Sequence, residues 1–135
     1  MSHQNTFGPH LMLDLNQCNV SQLNSIDTCI HFLNKLPDLI GMTKLTQPYA
    51  FPYHGIEEDD QGITGTVIIA ESHLSIHTFP LKEFAFIDIF SCRPFDTDVA
   101  KKFCVDLFES KKVTAHLIMR GKEFPQKRTI ADLPI

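Results

Sequence analysis

The chain has 135 residues, eleven of them phenylalanine, and a formal charge of −4. That length predicts one domain with a real hydrophobic core, and the acidic balance argues against nucleic acid as the main partner. No apolar run is long enough to span a bilayer, and the polar opening Met1–Phe7 does not read as a signal peptide, so a cytoplasmic protein is expected.

The elements follow in chain order. Residues 1–8 read as a loose lead-in, and "HLMLDL" (10–15) alternates as a first strand. "NSIDTCIHFLNKL" (24–36) sets Ile26, Cys29, Ile30, Leu33 and Leu36 at helical spacing, with Ser25 or Asp27 as cap and Pro37 as the expected stop. "TKLTQPYAFPY" (43–53) is extended, but Pro48 and Pro52 confine it to a sheet edge. "HGIEEDDQG" (54–62) reads as a solvated acidic loop. "ITGTVIIA" (63–70) is a β-branched run that predicts a buried strand, and "SHLSIHTF" (72–79) follows with almost no break. "FAFIDIFSC" (84–92) is apolar on both faces except at Asp88. "DTDVAKKFCVDLFES" (96–110) predicts an amphipathic helix capped by Asp96 or Thr97, and "KVTAHLIMR" (112–120) a last strand before a loose polar tail.

Strands that cluster without intervening helices predict an α+β domain with an antiparallel sheet. Two helices can cover one face only, so the other is expected to meet a second subunit. The four cysteines form no C-x-x-C pair; Cys18, Cys29 and Cys104 read as small buried hydrophobes in a reducing compartment.

"AESHLSIHTFP" (70–80) is out of character. It alternates like a strand yet carries Glu71, Ser72, His73, Ser75 and His77. Two histidines four apart would suit one zinc ion on a helix, but on a strand they stand ~13 Å apart, so no metal is expected. The G-x-S-x-G elbow of a serine hydrolase is absent. A lone histidine on a strand is most simply a satisfied core histidine; two histidines, two serines and a glutamate together ask for chemistry. The Glu-Ser pair offers one route. A well-held serine hydroxyl attacks the carbonyl before it, the peptide becomes an ester, and loss of the serine α-hydrogen expels the carboxylate. The dehydroalanine left behind hydrolyses to a pyruvoyl group. The sequence needs a hydroxyl near the oxyanion and a base for the elimination. Thr64 and His77 are the candidates.

With "GITGTVIIA" ahead of it, "DIFSC" after it and "GPHLMLDLNQC" at the start, this segment resembles the self-processing region of the short prokaryotic S-adenosylmethionine decarboxylases, over about residues 8–121. The resemblance implies cleavage between Glu71 and Ser72 of a single domain 1–135 into a β chain 1–71 and an α chain 72–135. It implies that Ser72 becomes the pyruvoyl group that forms the Schiff base with substrate, that His77 and the hydroxyl of Thr64 assist processing, and that Cys92 is the general acid that protonates the product carbanion. Thr64 stands where the family has serine. The group acts as an electron sink without metal or pyridoxal phosphate. A homodimer or higher even oligomer of processed protomers is implied, with sheets packed as an αββα sandwich, in polyamine (spermidine) biosynthesis.

The chain departs from the family after the second histidine, where T-W-P-E becomes Thr78-Phe79-Pro80-Leu81. Phe79 can still stack on adenine. Leu81 cannot accept hydrogen bonds from a ribose, a role the family gives to glutamate, and Glu83 replaces it only if the loop is reshaped. The second stacking aromatic is open among Tyr49, Phe51 and Tyr53. Three readings follow: S-adenosylmethionine decarboxylase, which is preferred; a pyruvoyl-dependent arginine or ornithine decarboxylase; and a non-processing, non-catalytic partner subunit.

Overall fold

The structure, a computed structural model, describes residues 6–125 and 129–134. Six strands form one antiparallel sheet: β1 (Gly8–Asn16), β2 (Tyr49–Tyr53), β3 (Gly62–Ile69), β4 (Ser72–Phe79), β5 (Phe84–Phe90) and β6 (Lys112–Arg120), ordered β2-β3-β4-β5-β1-β6. The helices are α1 (Val20–Leu23), α2 (Ile26–Leu39) and α3 (Thr97–Phe108). Strand periodicity sorts the side chains. Leu11, Leu13, Leu15, Val67, Ile69, Leu74, Ile76, Ile87 and Ile89 point to one face and are buried with Phe32, Leu33, Leu36, Cys104 and Phe108 of the helices. Gly65 lets α2 come close, since a Cβ there would sit 2.9 Å from Leu33 Cδ1 and 3.0 Å from the Tyr49 carbonyl oxygen.

The α+β class and the antiparallel sheet are as the sequence predicts. Ser25 caps α2 by accepting the Thr28 N–H at 3.1 Å, and Asp96 caps α3 through the N–H groups of Asp98 and Val99. Cys18, Cys29 and Cys104 are buried, as expected. Four expectations are corrected. A third, one-turn helix, α1, stands between β1 and α2, capped by Asn19. Pro37 does not stop α2. It lies in the last turn and is buried, and the bonds after it still form, with the Ile40 N–H on the Leu36 carbonyl at 3.1 Å and the Met42 N–H on the Pro37 carbonyl at 2.7 Å. The ring forfeits one hydrogen bond there; Gly41, at φ +77°, ends the helix. The lead-in is not loose at Phe7, whose N–H donates to the Arg120 carbonyl at 2.7 Å and whose ring packs on Phe90 and Phe124. Residues 1–5 of that expected lead-in lie outside the described residues, as do 126–128 and 135 of the tail. The tail holds one 3-10 turn at Ile130–Asp132, stitched by Thr129 and Asp132.

The central strands bury one face, and the other is mixed in character rather than apolar as the runs suggest. On the other face Thr64, Thr66, His73, Ser75, Phe79, Asp88, Phe90, His10 and Met12 are half-buried, and Ile68, His77 and Phe86 are exposed. Among the described residues Phe7 and Arg120 pack on Phe90 at one corner of this face, while Ile68, His77 and Phe86 stay exposed. Among the described residues no helix is long and apolar enough to cross a membrane.

Candidate active site

The β3–β4 hairpin carries the segment the sequence singles out, and its two ends carry different groups. At the turn, Ile69 pairs with Ser72, leaving Ala70 and Glu71 as a two-residue connection. The Ala70 N–H donates to the Thr43 carbonyl at 2.9 Å, which pins the turn to the segment after α2. Ser72 is close to fully buried, and its hydroxyl donates to the Glu71 carbonyl oxygen at 2.7 Å. The nucleophile that a Glu71–Ser72 cleavage needs therefore stands beside the carbonyl it would attack.

Cys92 comes to the same place from β5. Its thiol donates to the Ala70 carbonyl at 3.6 Å, and it is the one cysteine that is not fully buried. Ser91 positions it. This side chain is 0% exposed, its hydroxyl donates to the Arg93 carbonyl at 2.7 Å and accepts the Arg93 N–H at 3.0 Å, and its own N–H donates to the Pro9 carbonyl. These bonds turn the chain sharply after β5 and set Cys92 against the hairpin tip. The other three cysteines are poor proton donors. Burial pushes the Cys18 thiol up to about 11 and Cys29 up to about 12, and raises Cys104 further still.

At the far end of the hairpin, Thr64 and His77 are cross-strand partners, with Thr64 Oγ1 and His77 Nδ1 3.2 Å apart. The open face puts Phe51, Tyr53 and Phe79 around this pair, and together with Asp60 and Thr78 they line a cavity of about 340 Å³. A second cavity of about 400 Å³ lies on the other side of Phe79, lined by Phe84, Phe86, Lys82 and again Asp60. Phe79 stacks edge-on against Phe86, with centroids 5.9 Å apart. Thr78 holds this end together. It is buried, its hydroxyl donates to the Leu23 carbonyl at 2.9 Å, and it accepts the Ile63 N–H at 2.9 Å.

The fold thus joins Ser72 with Cys92, and Thr64 with His77 and Phe79. It does not join the two sets. Ser72 and His77 are five residues apart on one strand, ~16 Å at a strand's rise, and point to opposite faces. Leu81 lies in the 3-10 turn Pro80–Lys82, 58% exposed, and lines neither cavity beside Phe79. Glu83 adopts a left-handed conformation, φ 53°, and lines a separate groove with Gln17, Cys18, Asn19, Glu109 and Lys111. Of the three open aromatics, Phe51 and Tyr53 reach the cavity with His77, and Tyr49 is not part of its lining. Sequence reasoning missed Ser91, Thr78 and Asp60. Thr78 had a signal: with Ser72, it is a hydroxyl on the face of β4 that Leu74 and Ile76 otherwise fill. Asp60 had none, since an acidic loop is ordinarily solvated.

His73 lies on the open face in a further polar group. Its ring packs edge-on against Phe90, which also carries the Arg120 guanidinium 4.0 Å above its centroid. Asp88 accepts from His10 at 3.0 Å nearby. Burial chiefly, then the neighbouring His10 and Arg120, lowers the His73 pKa, against an opposing pull from Asp88.

The family model for S-adenosylmethionine decarboxylase matches residues 9–121. Curated S-adenosylmethionine decarboxylase proenzymes are similar along most of their length. That of Clostridium botulinum (strain Langeland) is 36% identical over 116 residues, 85% of this chain and 95% of the relative. That of Oceanobacillus iheyensis is 36% identical over 118 residues, covering 84% and 86%. That of Thermodesulfovibrio yellowstonii is 30% identical over 115 residues, covering 84% and 81%. In fold, the chain resembles the crystal structure of the adenosylmethionine decarboxylase of Aquifex aeolicus, with a TM-score of 0.76 over 93% of this chain and 99% of that one at 22% identity. A match over most of the chain to the family model and to relatives of this identity means that the chain belongs to the S-adenosylmethionine decarboxylase family.

Proposed function

We propose that this protein is a self-processing, pyruvoyl-dependent S-adenosylmethionine decarboxylase that supplies the decarboxylated product to polyamine synthesis. The observation that carries the reading is the Ser72 hydroxyl on the Glu71 carbonyl oxygen at 2.7 Å, with the Cys92 thiol 3.6 Å from the next carbonyl back. The Ser72 oxygen attacks the Glu71 carbonyl carbon, the C–N bond breaks, and the Ser72 nitrogen takes the proton. A base then removes the Ser72 α-hydrogen, and the Glu71 carboxylate leaves. The enamine tautomerises, and water releases ammonia to leave a 2-oxoacyl end on residue 72. When present, that group is an electron sink for the pair released with CO₂. Cys92 holds the proton that returns to the substrate's α-carbon, from a tip where Ser91 fixes its backbone.

His77 is the base in this reading, and it is supplied by a second copy. Within one chain it is ~16 Å from Ser72 and on the opposite face. The uncovered face, with Ile68, Phe86 and Ile118 exposed, suits burial against its own copy. A two-fold axis between two such faces can lay the Thr64–His77 end of one hairpin over the Ser72 end of its partner. A reducing cytoplasm suits a chain whose four cysteines are all free.

The test is the CO₂ released by purified protein from S-adenosylmethionine, arginine and ornithine in parallel. Release from S-adenosylmethionine alone is expected. Release from arginine or ornithine alone would replace the substrate while keeping the chemistry. A chain that is never cleaved and releases nothing would make it a non-catalytic partner subunit.

A further inference from the structure

The geometry points to Asp60 as the residue that reads the sugar: its carboxylate accepts the two ribose hydroxyls of the nucleoside substrate. This rests on the reading of the protein as an S-adenosylmethionine decarboxylase and adds the group that sets its substrate specificity.

Both cavities that flank Phe79 include Asp60, and among the described residues lining them it is the sole carboxylate. The surrounding walls are aromatic: Phe51, Tyr53 and Phe79 on one side, Phe84 and Phe86 on the other. Flat rings take a purine face but cannot satisfy a diol. A vicinal diol buried against such walls without an acceptor loses its water hydrogen bonds and gains none. The side chain at position 81, in the turn just after Phe79, is an exposed leucine outside both cavities, and Glu83 faces a different groove.

Asp60 is also held in place. It ends the 3-10 turn Glu58–Asp60 in the long acidic loop after β2, and Lys82, from the turn after β4, bonds its Oδ1. Lys82 itself is held protonated, since the bond to Asp60 chiefly raises its pKa. Two consequences follow. The bridge ties the loop to the turn that carries Leu81, and it engages Oδ1 of Asp60; a carboxylate keeps further lone pairs, which two hydroxyls can use. With its charge already matched by an ammonium group, Asp60 suits neutral hydroxyls better than the guanidinium or ammonium tail of a basic amino acid.

The experiment measures kcat/KM per processed chain on S-adenosylmethionine and on its 2′,3′-dideoxyribose analogue, for the wild type, Asp60→Asn and Asp60→Ala. The fraction processed is read by intact mass, so that any loss of cleavage is divided out. For the wild type, removing the hydroxyls is expected to cost about ten- to a hundredfold, the scale of hydrogen bonds to a charged group. Asp60→Ala is expected to lose a similar factor on S-adenosylmethionine, mainly through KM, and to lose nothing further on the analogue. Asp60→Asn should fall between, because one acceptor oxygen remains. Equal losses on both substrates, or no loss, in variants of a wild type active on S-adenosylmethionine would overturn the role of Asp60 and leave the decarboxylase standing. A wild type that releases CO₂ from arginine or ornithine and not from S-adenosylmethionine would remove the underlying reading, and the diol assignment with it.

Discussion

The two ends of the β3–β4 hairpin are built differently. The Glu71–Ser72 end is nearly closed: Ser72 is 9% exposed, Ala70 is tied to Thr43, and Cys92 is fixed by a fully buried Ser91. The Thr64–His77 end is open: His77 is exposed, and the aromatics beside it line cavities. A tight end suits a bond that must break once at a defined carbonyl. An open end suits a group that must meet something from outside, whether substrate or a second chain. The proposed reading uses this contrast: it takes the nucleophile and the proton donor from one protomer's tip and the base from the other end of its partner's hairpin.

The sharpest way to break this division is to remove one end at a time. Ser72→Ala deletes the hydroxyl that stands on the Glu71 carbonyl, so cleavage and activity should both vanish, read by denaturing gel and CO₂ release. His77→Ala should form the ester but stall there, with elimination slowed about a hundredfold or more, the usual scale for a lost general base. Hydroxylamine, which cleaves esters, should split the stalled chain at residue 71. Co-expressing the two variants sharpens the comparison. A mixed dimer places the intact His77 of one chain over the intact Ser72 of the other, so the His77→Ala chain should be cleaved in it. No cleavage in verified mixed dimers would return the base to its own chain.

Smaller effects separate Cys92 from the other thiols. Cys92→Ala should still process but turn over about a hundredfold more slowly and inactivate with use, as the product carbanion takes its proton at the wrong carbon. Cys29→Ala should change stability and leave turnover per processed chain unaltered. Iodoacetamide at about pH 8 should label Cys92 first in the folded protein, because thiolate is the reactive form and burial pushes Cys18 and Cys29 up to about 11 and about 12. Labelling of Cys29 at the same rate would contradict the burial.

The smallest effect concerns His73. Burial chiefly, with His10 and Arg120 adding to it and Asp88 opposing, lowers its pKa on folding from the ordinary value of 6.5. Above that value both states are neutral and the group contributes nothing. As pH drops below it, the unfolded chain takes the proton first, so stability falls. The fall in Tm between about pH 7 and about pH 5.5 should therefore shrink in His73→Gln. An unchanged fall would show that other groups carry the acid sensitivity.

Much of the fold was legible because its periodicities are plain. The bounds of β4, Ser72–Phe79, and of β6, Lys112–Arg120, match the runs read from sequence, and the caps Ser25 and Asp96 act as expected. Pro37 misled because proline is a strong local breaker, while its tolerance in a last turn depends on packing that no local rule contains. Along the chain, Ser72 and His77 looked like one cluster. In space they separate, because a strand sends odd and even residues to opposite faces and spreads five residues over most of a strand's length. Asp60 was hidden for another reason: its bridge to Lys82, twenty-two residues on, is a long-range contact that no local pattern shows.

The most direct test of the central claim is the intact mass of the purified, wild-type protein under denaturing, reducing conditions. Two fragments are expected, 1–71 with an ordinary carboxyl end and 72–135 with a 2-oxoacyl group in place of the Ser72 amine. A single full-length chain with an unbroken amide between Glu71 and Ser72 would contradict it.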